Sequence, residues 1–173
     1  MVFKLIIGII LLLSSSAIGY LISLRYSLRV KQLGYFMSAL NSLETDILYY
    51  STPLPIAMKK VAGRSHKSIS WIFDETWKKL KERAGLNIEE TWRMSINENI
   101  DDLSLSKDDI EIIIDFSKEL GIGNKETQKK HFSYTKELLL EQKRKASKEK
   151  DKNGRMFNRL GVLLGLAIVI ILI

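Results

Sequence analysis

Cysteine is missing from all 173 residues, so a disulfide scaffold, a thiolate zinc site and a thiol nucleophile are excluded. Two prolines and ten glycines give too little punctuation for the many turns of a sandwich or barrel, and a mostly helical fold is expected. Histidine occurs only as His66 and His131, in separate regions, and without cysteine a zinc site needs carboxylates at a spacing the chain lacks. Period-two alternation and internal repeats are absent as well. Charge is the scarcest feature at the two ends.

Leu5 to Leu24 is a run of twenty residues without a formal charge, and Leu160 to Ile173 is a second of fourteen, all aliphatic or glycine. The net charge of +7 divides unevenly around them. Residues 32–150 hold 20 Lys/Arg against 19 Asp/Glu, whereas the flanks hold 7 Lys/Arg and the single acid Asp151. A basic protein normally raises nucleic acid as a partner. Here the excess sits beside apolar runs, the pattern of membrane-flanking cations, and the bulk is near neutral. No nucleic-acid partner is expected.

Twenty residues at about 1.5 Å each cover the roughly 30 Å of a bilayer core. A signal peptide is the alternative, with Lys4 ahead of the run and Ser15-Ser16-Ala17 as a cleavage site. The run continues past Ala17 to Leu24 and the cations follow it, so it reads as a retained anchor. Arg25, Arg29 and Lys31 outnumber Lys4, which assigns residue 25 onward to the cytoplasm. Lys148, Lys150, Lys152, Arg155 and Arg159 ahead of the second run give the same answer. That run reaches only about 21 Å; Met156 and Phe157 extend it while Arg159 snorkels, and partial insertion remains an alternative. Membrane lipids are therefore expected partners.

Between the runs, helical spacing dominates. Leu33, Phe36, Met37, Leu40, Leu43, Ile47 and Tyr50 form one stripe, and no breaker separates it from the first apolar run. Ser51-Thr52-Pro53 stops that rod and starts a second helix ending near Gly63. Ser68 is expected to cap a third helix, closed by Gly85. Asn87 and Glu90 predict a capping box for a fourth around Trp92 and Ile96. Ser106, followed by Asp108 and Asp109, opens a fifth that ends at Gly121. Asn124 caps a sixth, which runs through the basic stretch into the second apolar run with only Gly154 to interrupt it. The predicted fold class is all-α: a cytoplasmic six-helix bundle of about 120 residues flanked by N-terminal and C-terminal transmembrane helices. The domains are residues 1–24, 25–158 and 159–173.

Catalytic motifs do not survive inspection. Ser104-x-x-Lys107 and Ser133-x-x-Lys136 lack the companion motifs of penicillin-recognising enzymes. Gly121-Ile122-Gly123-Asn124-Lys125 lacks the spacing and preceding strand of a phosphate loop. The acids at 101–111 have no twelve-residue calcium loop around them. No enzyme activity, cofactor or metal is expected.

Three passages point to a family. They are Ser42-Leu43-Glu44-Thr45-Asp46-Ile47-Leu48-Tyr49-Tyr50-Ser51-Thr52-Pro53-Leu54, then Leu120-Gly121-Ile122 continuing to Gln128, Lys130 and His131, and the tail Leu160-Gly161-Val162-Leu163-Leu164-Gly165-Leu166. In order and spacing, with the two-anchor layout, they resemble the stage III sporulation protein AB family, while residues 60–110 agree only in helical character. The resemblance implies a platform subunit of a channel complex between mother cell and forespore, set in the outer forespore membrane with its domain in mother-cell cytoplasm. It implies similarity to the cytoplasmic domains of the type II secretion platform protein. It also implies coupling to a secretion-type ATPase and other channel-complex membrane proteins, with a homo-oligomer among the assemblies to consider. Glu44, Asp46, Tyr49, Thr52, Pro53, Gly121 and His131 are then candidate interface residues; for Thr52, Pro53 and Gly121 roles as caps and turns stand equally. A membrane-anchored regulator whose bundle binds a soluble signalling partner is the rival function.

The small residues Ser15, Gly19 and Ser23 share one face of the first apolar helix, and Gly161 and Gly165 form a small-xxx-small pair in the second. Aligned on the charge boundaries Leu24 and Leu160, Gly19 is expected opposite Gly165 and Ser23 opposite Gly161. Packing of one stripe against a partner subunit is the alternative.

Overall fold

The computed structural model describes residues 2–82 and 87–172. Seven α-helices occur among them: α1 Val2–Glu44, α2 Leu54–Arg64, α3 Lys67–Glu82, α4 Ile88–Asn97, α5 Lys107–Phe116, α6 Lys125–Glu149 and α7 Arg155–Leu172. A π turn, Lys150–Gly154, links α6 to α7 without leaving helical geometry, so the two form the single rod expected of the sixth helix. No strand is seen among the described residues. The expected closing glycine of α3, Gly85, lies outside them.

The chain divides into two compact units, residues 1–30 with 144–173 and residues 31–143. These packing boundaries lie inside those drawn from hydropathy at 24/25 and 158/159, because packed helices continue past the point where charges begin.

In the first unit, α1 and the rod of α6 and α7 run antiparallel and very close. A Cβ built on Gly19 would stand 2.6 Å from the Phe157 carbonyl oxygen, and one on Gly161 would stand 2.9 Å from that of Ser15. Ser15 Oγ donates to the Gly161 carbonyl at 2.7 Å. Gly8 faces Val169, Leu12 faces Gly165, and Ser23 faces Gly154. At the charged end Tyr26 stacks on Phe157 with ring centroids 6.2 Å apart, and Arg29 pairs with Glu149 at 2.6 Å. Gly19 therefore meets Gly161, not Gly165, and Ser23 meets Gly154, not Gly161. The charge boundaries misalign the pair because long cationic side chains need not sit level with their backbone. The helices in fact stay paired for more than a turn beyond Leu24.

The second unit is built on an aromatic file. Phe36 of α1 meets Phe73 of α3 at 6.3 Å, Phe73 meets Trp92 of α4 edge-on at 5.1 Å, and Trp92 meets Phe116 of α5 at 6.4 Å. Phe116 then meets Phe132 of α6 at 5.1 Å. All five rings are buried, with Leu33, Leu43, Met58, Ile69, Ile72 and Leu139 beside them. Leu33, Phe36, Leu40 and Leu43 of the expected α1 stripe enter this core, whereas Tyr50 at its end is turned out to solvent because the π turn breaks the helical register; edge-to-face ring geometry adds to the area burial.

Local chemistry explains the helix starts. Ser106 and Asp109 exchange bonds in a capping box, Asp109 N–H to Ser106 Oγ and Ser106 N–H to Asp109 Oδ2. Asn124 Oδ1 accepts from the Thr127 amide at 2.9 Å. Asn87 Oδ1 accepts from the Glu89 amide, and no reciprocal bond from Glu90 is seen among the described residues, so the expected box is a simple cap. At α3 the cap is His66, whose Nδ1 accepts from the Ser68 amide at 3.2 Å while its ring stacks on Tyr35. Ser68, expected as the cap, already lies inside that helix.

Candidate interaction surfaces

The stretch that closes α1 combines several unusual features. A π turn spans Thr45–Tyr49, with the Tyr50 amide bonding back to the Thr45 carbonyl. Ser51 then takes φ +50, a left-handed conformation usually left to glycine, and lets the Thr52 amide reach the Asp46 carbonyl at 2.9 Å. Pro53 next fixes the approach to α2. The turn leaves Tyr49 73 % and Tyr50 71 % exposed. Beside it lies the loop after α5, where Gly121 comes close to Leu54 and Lys125 Nζ donates to Ser51 Oγ at 3.2 Å. That loop holds Ile122 outward, and Ile56 on α2 is half exposed. The two adjoining loops and the first turn of α2 therefore present two tyrosines and two isoleucines to solvent.

The candidate interface residues separate into two kinds. Tyr49 faces outward. Glu44 is bound to Lys136 of α6 at 2.6 Å, and Lys136 also donates to Asn41 Oδ1. Lys136 thus belongs to a bridge between helices. Asp46 is buried and neutralised from α2 by Arg64 at 3.3 Å and Lys60 at 3.7 Å, which holds the π turn against that helix. His131 lies flat on Phe116, directs Nε2–H to the Phe116 carbonyl at 2.8 Å and has Nδ1 3.2 Å from Glu119.

His131 completes a set of donors at the C-terminus of α5, where carbonyls lack intrahelical partners. Trp92 Nε1–H donates to the Ile113 carbonyl at 2.8 Å, and Ser117 Oγ donates to that of Ile114 at 2.7 Å. Gln128, buried on α6, finishes the loop: its amide nitrogen reaches the Glu119 and Ile122 carbonyls, and its Oε1 accepts from the Gly121 amide. The spacing from Gly121 to Gln128 and His131 is thus a clamp that holds the Ile122 loop in place. Gln32 does the same elsewhere, accepting from the Ser104 amide at 2.8 Å and donating to the Asp102 carbonyl. Sequence reasoning passed over Gln32 and gave Gln128, though quoted in a family passage, no role, since neither falls on an apolar stripe or a turn pattern.

No group of three metal-ligating side chains is gathered among the described residues. Ser15, Gly19 and Gly161 meet at the helix crossing, while Ser23 and Gly165 contact Gly154 and Leu12.

An all-α chain with a helix at each end long and apolar enough to cross a membrane, those helices packed through glycine, and a helical unit with an exposed aromatic turn defines a class of helical proteins. The family model of stage III sporulation protein AB matches residues 4–173, and the chain belongs to that family. It is similar to stage III sporulation protein AB of Bacillus subtilis strain 168, with 28 % identity over 169 residues and 98 % of each chain covered. It is also similar to a solved structure of stage III sporulation protein AB, at TM-score 0.66 and 28 % identity, covering 71 % of this chain and 96 % of that one.

Proposed function

We propose that this protein is a non-enzymatic, membrane-anchored platform subunit of a sporulation channel complex linking mother cell and forespore. Two helices long and apolar enough to cross a membrane serve as its anchors, with lipid against their exposed faces. The helical unit works in the mother-cell cytoplasm, beneath the outer forespore membrane. There it couples a secretion-type ATPase to the other membrane subunits. Membership of the sporulation family supports the setting.

The observation that carries the docking role is the outward pair Tyr49 and Tyr50, on a turn tied to α2 through the buried Asp46 carboxylate and closed by a left-handed serine. Rigid exposed tyrosines give large contact area at low entropic cost, and aromatic residues anchor protein interfaces. Benzoylphenylalanine placed at Tyr49 or Tyr50 and photolysed in sporulating cells should yield adducts with the ATPase and channel membrane proteins. Adducts with a kinase or transcription factor alone would favour the regulator and contradict the platform.

A further inference from the structure

Outside the aromatic turn, the second unit has a trough of about 690 Å³ along the seam between α5 and α6. Its floor is apolar, formed by Ile112, Phe116 and Leu138, with Tyr134 rising from it 62 % exposed. On α6 the lining runs from Thr127 to Gln142, about 22 Å at the helical rise. One wall carries a ladder of exposed carboxylates, Asp108, Glu111, Asp115 and Glu119, about one to each turn of α5 and its continuation. The cations in the lining are already engaged: Lys118 pairs with Asp115 at 2.6 Å and Lys130 with Glu126 at 3.0 Å. His131 faces Glu119. Asp108 and Glu111 have no partner among the described residues.

A helix fits between two helices when its side chains enter the groove they form, at axial separations of about 8–10 Å. An apolar stripe would cover the floor, and lysines or arginines three or four residues apart would meet the carboxylates turn by turn. A small ligand would leave much of this open length uncovered. We infer that the α5–α6 trough is a docking groove for an amphipathic helix of a partner protein, one whose apolar stripe is edged by lysine or arginine. The groove lining contains none of Tyr49, Tyr50, Ile56 and Ile122, and the inference does not depend on which complex the protein serves.

The test uses the full chain in non-ionic detergent micelles and three fluorescent peptides of about fifteen residues. One has a leucine stripe edged by lysine, one the same stripe edged by glutamate, and one the lysine composition scrambled so that no stripe forms. Anisotropy, corrected for empty micelles, should show saturable binding of the lysine-edged peptide and at least about tenfold weaker binding of the other two. Glu111→Lys should weaken it by about tenfold and Tyr134→Ala by about fivefold. Glu90→Lys on α4, outside the groove, should change nothing. Circular dichroism checks that each variant stays folded, and Asp108→Asn replaces any that does not. Absence of saturable binding, equal binding of all three peptides, or binding indifferent to the groove variants would overturn the inference.

Discussion

Ser51 holds a conformation that costs a residue with a Cβ about 1 kcal/mol or more. Its left-handed backbone closes α1, and its side chain adds one exposed contact from Lys125. Ser51→Gly is therefore expected to raise stability by up to about 1 kcal/mol, and Ser51→Val to lower it by more. Urea unfolding of both variants checks the order. Trp92 is fully buried and caps the end of α5 through its indole. Trp92→Phe leaves a smaller ring and an unpaired carbonyl, an expected loss of about 2–3 kcal/mol in the same assay. Ser51-Thr52-Pro53 is readable as a stop signal because proline and hydroxyl residues mark one. The left-handed serine is not readable, because glycine is the residue that normally announces that geometry. His131 reads as a surface candidate because one sequence does not show which carbonyls end up needing a donor.

At the scale of elements, helix number and order are legible from stops and caps at Pro53, Asn87, Ser106 and Asn124. The two π turns are not, since one extra residue in a turn leaves no compositional mark. The register of α1 against α7 is equally silent, because a small-residue stripe says which faces meet and not how far they slide. Gly8 and Val169 test the observed register. A Cβ on Gly8 would lie 4.0 Å from that of Val169, within disulfide range. Gly8→Cys with Val169→Cys should oxidise to a crosslink, whereas Ser15→Cys with Val169→Cys, the partners at equal depth, should not. Adding Gly161→Leu should abolish the first crosslink, because its side chain would meet backbone at 2.9 Å that cannot yield. A crosslink in the second pair and none in the first would return the register to equal depth.

For the whole molecule, two kinds of physics divide the chain. Residues 31–143 bury an aromatic core and cap several of their helix ends with their own side chains. The helix pair of the other unit leaves Ile10, Leu13, Leu21, Leu163 and Leu164 exposed, a surface suited to lipid rather than water. On that contrast rests the proposal that both ends are membrane anchors and the helical unit between them is cytoplasmic. The chain has no cysteine of its own, so a single introduced thiol reports location without background. Lys78→Cys, on the exposed face of α3, is the most direct measurement. An impermeant thiol reagent should leave it unlabelled in intact cells and label it fully after lysis. Labelling in intact cells as strong as after lysis would contradict the claim.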